Sequence, residues 1–433
     1  MWFRRDLRLG DHPALLAAGS DGAEVVPVFV FDPAFANAGA ARLGALHECL
    51  RSLDASIREC SGTGLVIRRG DPSVVIPELA AELGVRTVFV TRDYSPYGRR
   101  RDVAVKSALE DHGIRLVGVG SPYAVAPGSV RKPDGSPYAV FTPFSKSWRQ
   151  TGWNAPHDPP GDDFRWRGAG PTAPDSAPIA AAPAPRSEMF EAGERAAHDR
   201  WEAFVRDGLD RYDQRRDLPA IHGTSLLSPA LKWGAIHPRQ LLAALDGSGA
   251  GDPSHTAFSA ELAWREFYAD VLFHRPESAW QNLNEKMNAM RVDTDTAAMG
   301  RFERWAAGTT GFGIVDAGMR QLAATGWMHN RVRMIVASFL VKDLHLPWQW
   351  GARWFMEHLI DGDLASNSHG WQWAAGTGTD AAPYVRVFNP HLQQARYDPQ
   401  GEYVDRWVPQ LAAPMLDHQV ERAEALGRLA DID

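Results

Sequence analysis

Hydrophobic positions in the first third of the chain alternate between two periods. Val25 to Phe31, Leu65 to Arg68, Thr87 to Val90 and Arg115 to Val119 are short runs rich in Val, Ile and Phe, as in strands buried on both faces. Between them, Arg42 to Arg58, Val74 to Leu83 and Gly98 to His112 carry helical spacing. Strands separated by helices predict a Rossmann-like α/β unit, a parallel sheet covered by helices, over residues 1–120. The opening WFRRDLR reads as a strand cut close, as though the chain begins inside it. No GxGxxG follows any of these strands, so the sheet carries no dinucleotide fingerprint and its fold alone does not imply a cofactor.

The alternation dissolves over residues 121–187. PHDPPGDD and APIAAAPAP are too Pro-rich for a helix or a central strand. The segment reads as a long connector between two units, although its aromatic island GSPYAVFTPFSKSW has enough apolar surface to pack down. Residues 188–433 then follow the helical period throughout. Glu191 to Arg206 is amphipathic, Tyr212 to Pro219 is a basic turn, and Ala257 to Phe273 is a long helix. In VRMIVASFLV nearly every helical face is apolar, which predicts a core helix. Yet His329, Asn330, Arg331 and Arg333 stand on its entry turns. Buried guanidinium groups require partners, so Arg333 with Asp361 and Asp363 implies mutual pairing or a polar ligand.

Composition narrows the setting. At 433 residues with 44% hydrophobic content, the chain can build two full cores. Two cysteines, Cys49 and Cys60, provide neither a disulfide framework nor a zinc site, which suits a reducing cytoplasm. No apolar run reaches membrane-spanning length and the charged opening is no secretory signal, so a cytoplasmic protein without a membrane partner is expected. A net charge of −7 opposes nucleic-acid binding unless basic residues gather on one face. Sixteen Trp is a high count, and most are expected to be core, with some free to stack on a ligand.

Three constellations carry candidate chemistry. In GTSLLSP, Thr224, Ser225 and Ser228 are placed to cap a helix, or to meet a phosphate there. Glu261, Trp264, Arg265 and Tyr268 fall at i, i+3, i+4 and i+7 and share one stripe. That stripe is either a solvated face with an intrahelical Glu261–Arg265 pair or one wall of a cavity; the similar mixtures at Trp327 to Arg333 and Trp371 to Trp373 favour the cavity. Asp361 and Asp363 could accept hydrogen bonds from a ligand or, less well, hold a divalent metal with His358 or His369. An oxygen cage needs more ligands than this neighbourhood supplies, so no metal is expected. The Gly-rich turn at Thr377 to Asp380 lacks the Lys of a phosphate loop, and there is no GxSxG or HExxH.

YDQRRDLPAIHGTSLLSP, ELAWREFY, GIVDAGMRQLAATGWMHNRVRMIVASFLVKDL and DGDLASNSHGWQWAAGTGTDAAPY occur in that order. Together with the opening WFRRDLRLGDHPAL, they make the whole chain resemble the class I cyclobutane pyrimidine dimer DNA photolyases. The resemblance implies an α/β antenna domain, a linker, and an all-α domain that binds FAD and UV-damaged DNA; a monomer is expected. It places Tyr212, Thr224, Ser225, Leu227 and Ser228 around the FAD phosphates and ribityl chain, and implies Phe258, Glu261, Arg265, Asn330, Arg333, Asp361 and Asp363 as further cofactor contacts. Asn367 falls beside the flavin N5. This chain has Leu226 where the family has Arg, and Phe258 where it has Trp.

For the lesion, the resemblance implies Trp264 and Trp373 as pocket walls, Glu261 and Asn330 as hydrogen-bonding groups, Met334 as filler, and Arg216 and Arg331 on the flanking phosphates. The implied reaction is light-driven electron transfer from photo-excited reduced FAD to a flipped-out dimer. Asn367 and the end of the chain at Asp433 separate it from cryptochromes, and Asn330 with Met334 separates it from six-four photolyases. Trp371 and Trp348 match the inner and middle members of the family's electron-transfer line. The outer slot between Met290 and Gly300 holds no aromatic residue, so another exit through Trp305, Trp350 or Trp354 is expected. For the antenna, RDYSPYGRRRD and GSPYAVFTPF resemble the 8-hydroxy-5-deazaflavin type more than the methenyltetrahydrofolate type.

Overall fold

Strands form at each of the β-branched runs: β1 (Trp2–Phe3), β2 (Val28–Phe31), β3 (Val66–Arg69), β4 (Thr87–Val90) and β5 (Arg115–Gly118). The computed structural model that shows them describes residues 1–168, 179, 190–248, 251–379 and 386–432. All pairings between these strands are parallel, in two ladders, β1-β2-β3 and β4-β5. Trp2, Val28, Val66, Val88 and Val90 nevertheless share one core, so the ladders pack as a single layer system. The covering helices are Ala40–Ser61, Pro72–Glu82 and Pro96–Glu110. Two of them start earlier than apolar spacing suggests, because Asp71 and Ser95 cap them and Pro72 and Pro96 fill the first turn.

The connector is partly ordered by its aromatic island. Phe141–Thr151 is a helix whose Phe144 and Trp148 are buried. Further on, Trp166 bridges back to Val25 beside the sheet. The APIAAAPAP run, apart from Ile179, and the boundary at residues 187–188 lie outside the described residues.

The rest is helical. Glu194–Asp207, Ser228–Trp233, Pro253–His274, Gly313–Thr325, Asn330–Ser338, Trp348–His358, Leu364–Ala375 and His418–Ala430 are its main helices. The apolar stretch through Met319 to Leu344 is broken into pieces. Gly326, at φ 69°, ends one helix in a left-handed cap, and His329 starts the next by accepting from the Arg331 amide. The last turn then widens into a π-helix over Phe339–Asp343. This break puts Asn330, Arg331, Arg333 and Met334 at a helix start instead of within a sealed core.

Candidate functional site

On helix Pro253–His274, Glu261, Trp264, Arg265 and Tyr268 form a half-buried stripe, while Phe258, Leu262, Phe267 and Val271 are buried. The Glu261–Arg265 pair of the solvated-face alternative does not form. Glu261 Oε1 accepts from Arg216 Nη1 at 2.6 Å. Arg265 donates to the carbonyls of Pro122 and Leu231, both at 3.2 Å, and lies 4.6 Å over the Tyr123 ring. The basic turn and the connector bring in partners that an exposed intrahelical pair, worth only about 0.3–0.5 kcal/mol, cannot outcompete. Burial raises the Glu261 pKa above the usual carboxylate range, against the lowering effect of Arg216.

Arg333, Asp361 and Asp363 divide into two groups. Arg333 Nη2 donates to Asp361 Oδ2 at 2.8 Å, and its Nε to the Met328 carbonyl at 2.8 Å. Among the described residues the buried Asp361 Oδ1 has no hydrogen-bond partner. Asp363 turns instead to Arg5 Nη2 at 2.6 Å and Lys232 Nζ at 3.7 Å, and its Oδ1 accepts from the Ser366 amide at the start of helix Leu364–Ala375. Burial works to raise the Asp363 pKa, but Arg5 and Lys232 outweigh it and hold the carboxyl below its ordinary value. The Lys232 ammonium is pushed down to about 7 by burial and by Arg5.

Arg216 and Arg331 each hold an acid: Arg216 holds Glu261, and Arg331 holds Asp217 at 2.8 Å while lying 4.5 Å over Tyr397. Asn330 is exposed, and Arg331, Arg333 and Met334 are half-buried beside it. The buried Asn367 donates from Nδ2 to the Ala352 carbonyl at 2.9 Å. Trp373 is half-buried with Arg386 5.6 Å over its ring, and Trp264 stacks on Phe141. Tyr212 and Leu227 are buried, Thr224 and Ser225 half-buried, and Ser228 exposed.

The expected side-chain cap by Thr224, Ser225 or Ser228 is corrected by the structure. Leu227 is the N-cap of helix Ser228–Trp233 and makes no side-chain cap bond; Ser225 Oγ accepts only a long 3.4 Å contact from the Leu227 amide. Leu226 takes φ 54°, a left-handed backbone that re-aims the chain just before this helix. Ser228 Oγ in turn accepts a long 3.4 Å contact from Trp327 Nε1.

Trp371 is 2% exposed, and its ring lies 6.0 Å from Trp305 and 5.0 Å from Phe355. A Cβ at Gly351 would fall 2.0 Å from Trp371 Cη2, so only glycine lets helix Trp348–His358 approach this indole. Trp348 donates from Nε1 to Asn282 Oδ1 at 2.8 Å. A second aromatic line leaves Trp305 through Phe302 at 5.6 Å, which in turn contacts Trp350 at 5.6 Å and Trp354 at 5.9 Å. The slot without an aromatic residue has other duties. Asp293 pairs with Arg301 and Arg428, both at 2.8 Å, and Asp295 caps helix Thr296–Ala306.

Sequence reasoning missed Arg5, Lys232 and Phe141 as neighbours of these residues; the charge density of WFRRDLR was the one available signal for Arg5. Among the described residues no group of three or more His, Cys, Asp or Glu is set to hold a metal, and no helix is long and apolar enough to cross a membrane. The unpartnered Asp361 Oδ1 and the uncapped hydroxyls at Thr224 and Ser225 fit a ligand with N–H or O–H donors at one end and phosphates at the other. FAD has both.

Known proteins agree with that fit. Residues 1–161 match the family described as DNA photolyase, and residues 258–428 match the FAD binding domain of DNA photolyase. A deoxyribodipyrimidine photo-lyase from Agrobacterium fabrum is 39% identical, over 95% of this chain and 87% of its own. The crystal structure of a bacterial class III photolyase from Agrobacterium tumefaciens superposes with a TM-score of 0.92 at 36% identity, covering 100% of this chain and 96% of that one. An archaeal photolyase from Sulfolobus tokodaii, solved with two FAD molecules, gives 0.86 at 27% identity, over 99% of each chain. This chain belongs to the photolyase/cryptochrome family, as an FAD-binding enzyme of the deoxyribodipyrimidine photo-lyase type.

Proposed function

We propose that this enzyme repairs cyclobutane pyrimidine dimers in UV-damaged DNA as a monomer, with residues 1–120 as antenna domain, 121–187 as linker and 188–433 as catalytic domain. The observation that carries the reading is the buried, unpartnered Asp361 Oδ1 behind the polar and aromatic faces of helices Pro253–His274, Asn330–Ser338 and Leu364–Ala375. When bound and reduced, FAD supplies one electron to the dimer on excitation. Asp361, oriented by Arg333, would accept a hydrogen bond from the flavin, and Asn367, tethered to Ala352, would contribute to holding it. Tyr212, Phe258 and Leu227 would supply an apolar wall for it, and Thr224, Ser225 and Ser228 would hold its phosphates. No residue needs to carry a proton through the bond cleavage itself. The raised pKa of Glu261 suits a carboxyl that hydrogen-bonds a base.

Trp264 and Trp373 stack on the flipped dimer, with Asn330 and Met334 beside it. Arg216 and Arg331 exchange part of their acid contacts for the flanking phosphates, which makes binding salt-dependent. Light-dependent loss of cyclobutane dimers from irradiated DNA tests the activity. Replacing Trp264 by Ala is expected to weaken binding to dimer-containing duplex by roughly one to two decades at fixed salt, since a base stack is worth about 1–3 kcal/mol. Repair of six-four products with none of cyclobutane dimers would overturn the lesion assignment.

For the antenna we favour 8-hydroxy-5-deazaflavin over methenyltetrahydrofolate. A small cleft lined by Arg4, Arg5, Asp6, Thr91, Arg92, Asp93, Pro122 and Tyr123 lies at the carboxyl ends of β1 and β4, the end of a parallel sheet where ligands are received, and a chromophore bound there would have to widen it. Reconstitution with each compound is expected to extend the repair action spectrum into the deazaflavin band; enhancement with folate alone, or with a second FAD alone, would reverse the choice.

A further inference from the structure

Trp264 is stacked on a residue from the connector. Its ring centroid lies 3.7 Å from that of Phe141 with the planes 7° apart, which is a full face-to-face contact. Phe141 is also edge-on to Phe267, 5.9 Å away. It is the first residue of helix Phe141–Thr151, on the same face as Phe144 and Trp148, which are 1% and 0% exposed. That helix is tied to helix Pro253–His274 by Glu266, whose Oε2 accepts from Trp148 Nε1 at 2.6 Å and from the Val125 amide at 2.9 Å. Phe141 therefore stands on a helix anchored by two buried side chains.

We propose that Phe141 is a positioning residue for lesion recognition: it closes one face of the Trp264 indole, holds the ring in a single orientation, and leaves the opposite face for a damaged base. This rests on the reading of Trp264 as a wall of the lesion pocket. A large aromatic side chain on a half-buried helix face otherwise keeps several rotamers, and ordering it on binding reduces affinity. With Phe141 in place the ring is already ordered, so the connector contributes to DNA recognition without touching DNA.

The test is equilibrium binding of the flavin-loaded enzyme, in the dark and at fixed salt, to a duplex with one cyclobutane dimer and to the same duplex undamaged. Phe141→Ala is expected to weaken dimer binding about three- to tenfold, with flavin content and undamaged-DNA affinity unchanged. Phe141→Leu, which keeps apolar volume but has no flat face, is expected to do the same, and Phe141→Tyr to restore wild-type binding. Adding Phe141→Ala to Trp264→Ala should cost nothing further, because the residue acts only through the indole. Wild-type dimer affinity in Phe141→Ala and Phe141→Leu, or equal losses on both duplexes, would overturn the inference while a loss in Trp264→Ala left the wall reading standing. If Trp264→Ala itself binds the dimer normally, the wall reading fails and this inference fails with it.

Discussion

Replacing Trp371 by Phe is expected to abolish photoreduction of the oxidised flavin while leaving repair by chemically pre-reduced enzyme nearly intact. In the proposed reaction, repair would draw its electron directly from the reduced cofactor, whereas photoreduction would need an electron relayed inward through side chains. Trp371 is where both aromatic routes in this structure meet. On one side, Gly351 brings its indole against the helix that carries Trp348, and on the other Trp305 lies 6.0 Å away. The hydrogen bonds give the relay a direction. Trp305 Nε1 donates to the Val336 carbonyl at 3.0 Å and Trp348 Nε1 to Asn282, but Trp371 Nε1 has no partner among the described residues. An acceptor at the indole N–H stabilises positive charge on the ring, so charge left on Trp371 by the proposed relay would move outward to either neighbour. From Trp305 the ring contacts continue through Phe302 to the half-buried Trp350 and Trp354, the alternative exit. Flavin reduction under steady illumination with an external donor, followed by absorbance, measures the effect. A wild-type rate in Trp371→Phe would mean that the inner step belongs to another residue.

Asp363→Ala is expected to strip the enzyme of FAD, as the sequence alone suggests, but the structure adds a stability loss that the sequence does not. The carboxylate pairs with Arg5 next to β1 and with Lys232 on helix Ser228–Trp233. Its removal leaves a guanidinium and an ammonium close together with only the more weakly acting Asp93 carboxylate as counter-charge. Breaking one side of a buried pair costs about 3–5 kcal/mol, so a fall in melting temperature should accompany the flavin loss. Asp361→Asn gives the contrast. It keeps an acceptor of the same shape for Arg333, so it should cost less stability than Asp363→Ala while the flavin is still lost. Flavin absorbance per chain after gel filtration, together with thermal unfolding, separates the two variants. A full flavin complement in Asp363→Ala would remove Asp363 from the cofactor site.

Sequence by itself determined what depends on neighbours along the chain. The strand Thr87–Val90 and the shared face of Glu261, Trp264, Arg265 and Tyr268 follow from backbone period, which acts over a few residues; apolar spacing places two helix starts late, because the caps Asp71 and Ser95 with Pro72 and Pro96 begin them before that spacing does. The motif order also implied the family. What the tertiary structure decided was which partner each charged or aromatic group on those faces would take. Glu261 met Arg216, 45 residues earlier, instead of Arg265 one turn away. Asp363 went to Arg5 across 358 residues instead of to Arg333. Trp264 received Phe141 from a connector that sequence alone marked only as able to pack down. Each outcome turns on burial: a charge or a large ring taken out of water binds most strongly to whichever complementary group the fold brings closest. Sequence spacing reports only the candidates within its own helix.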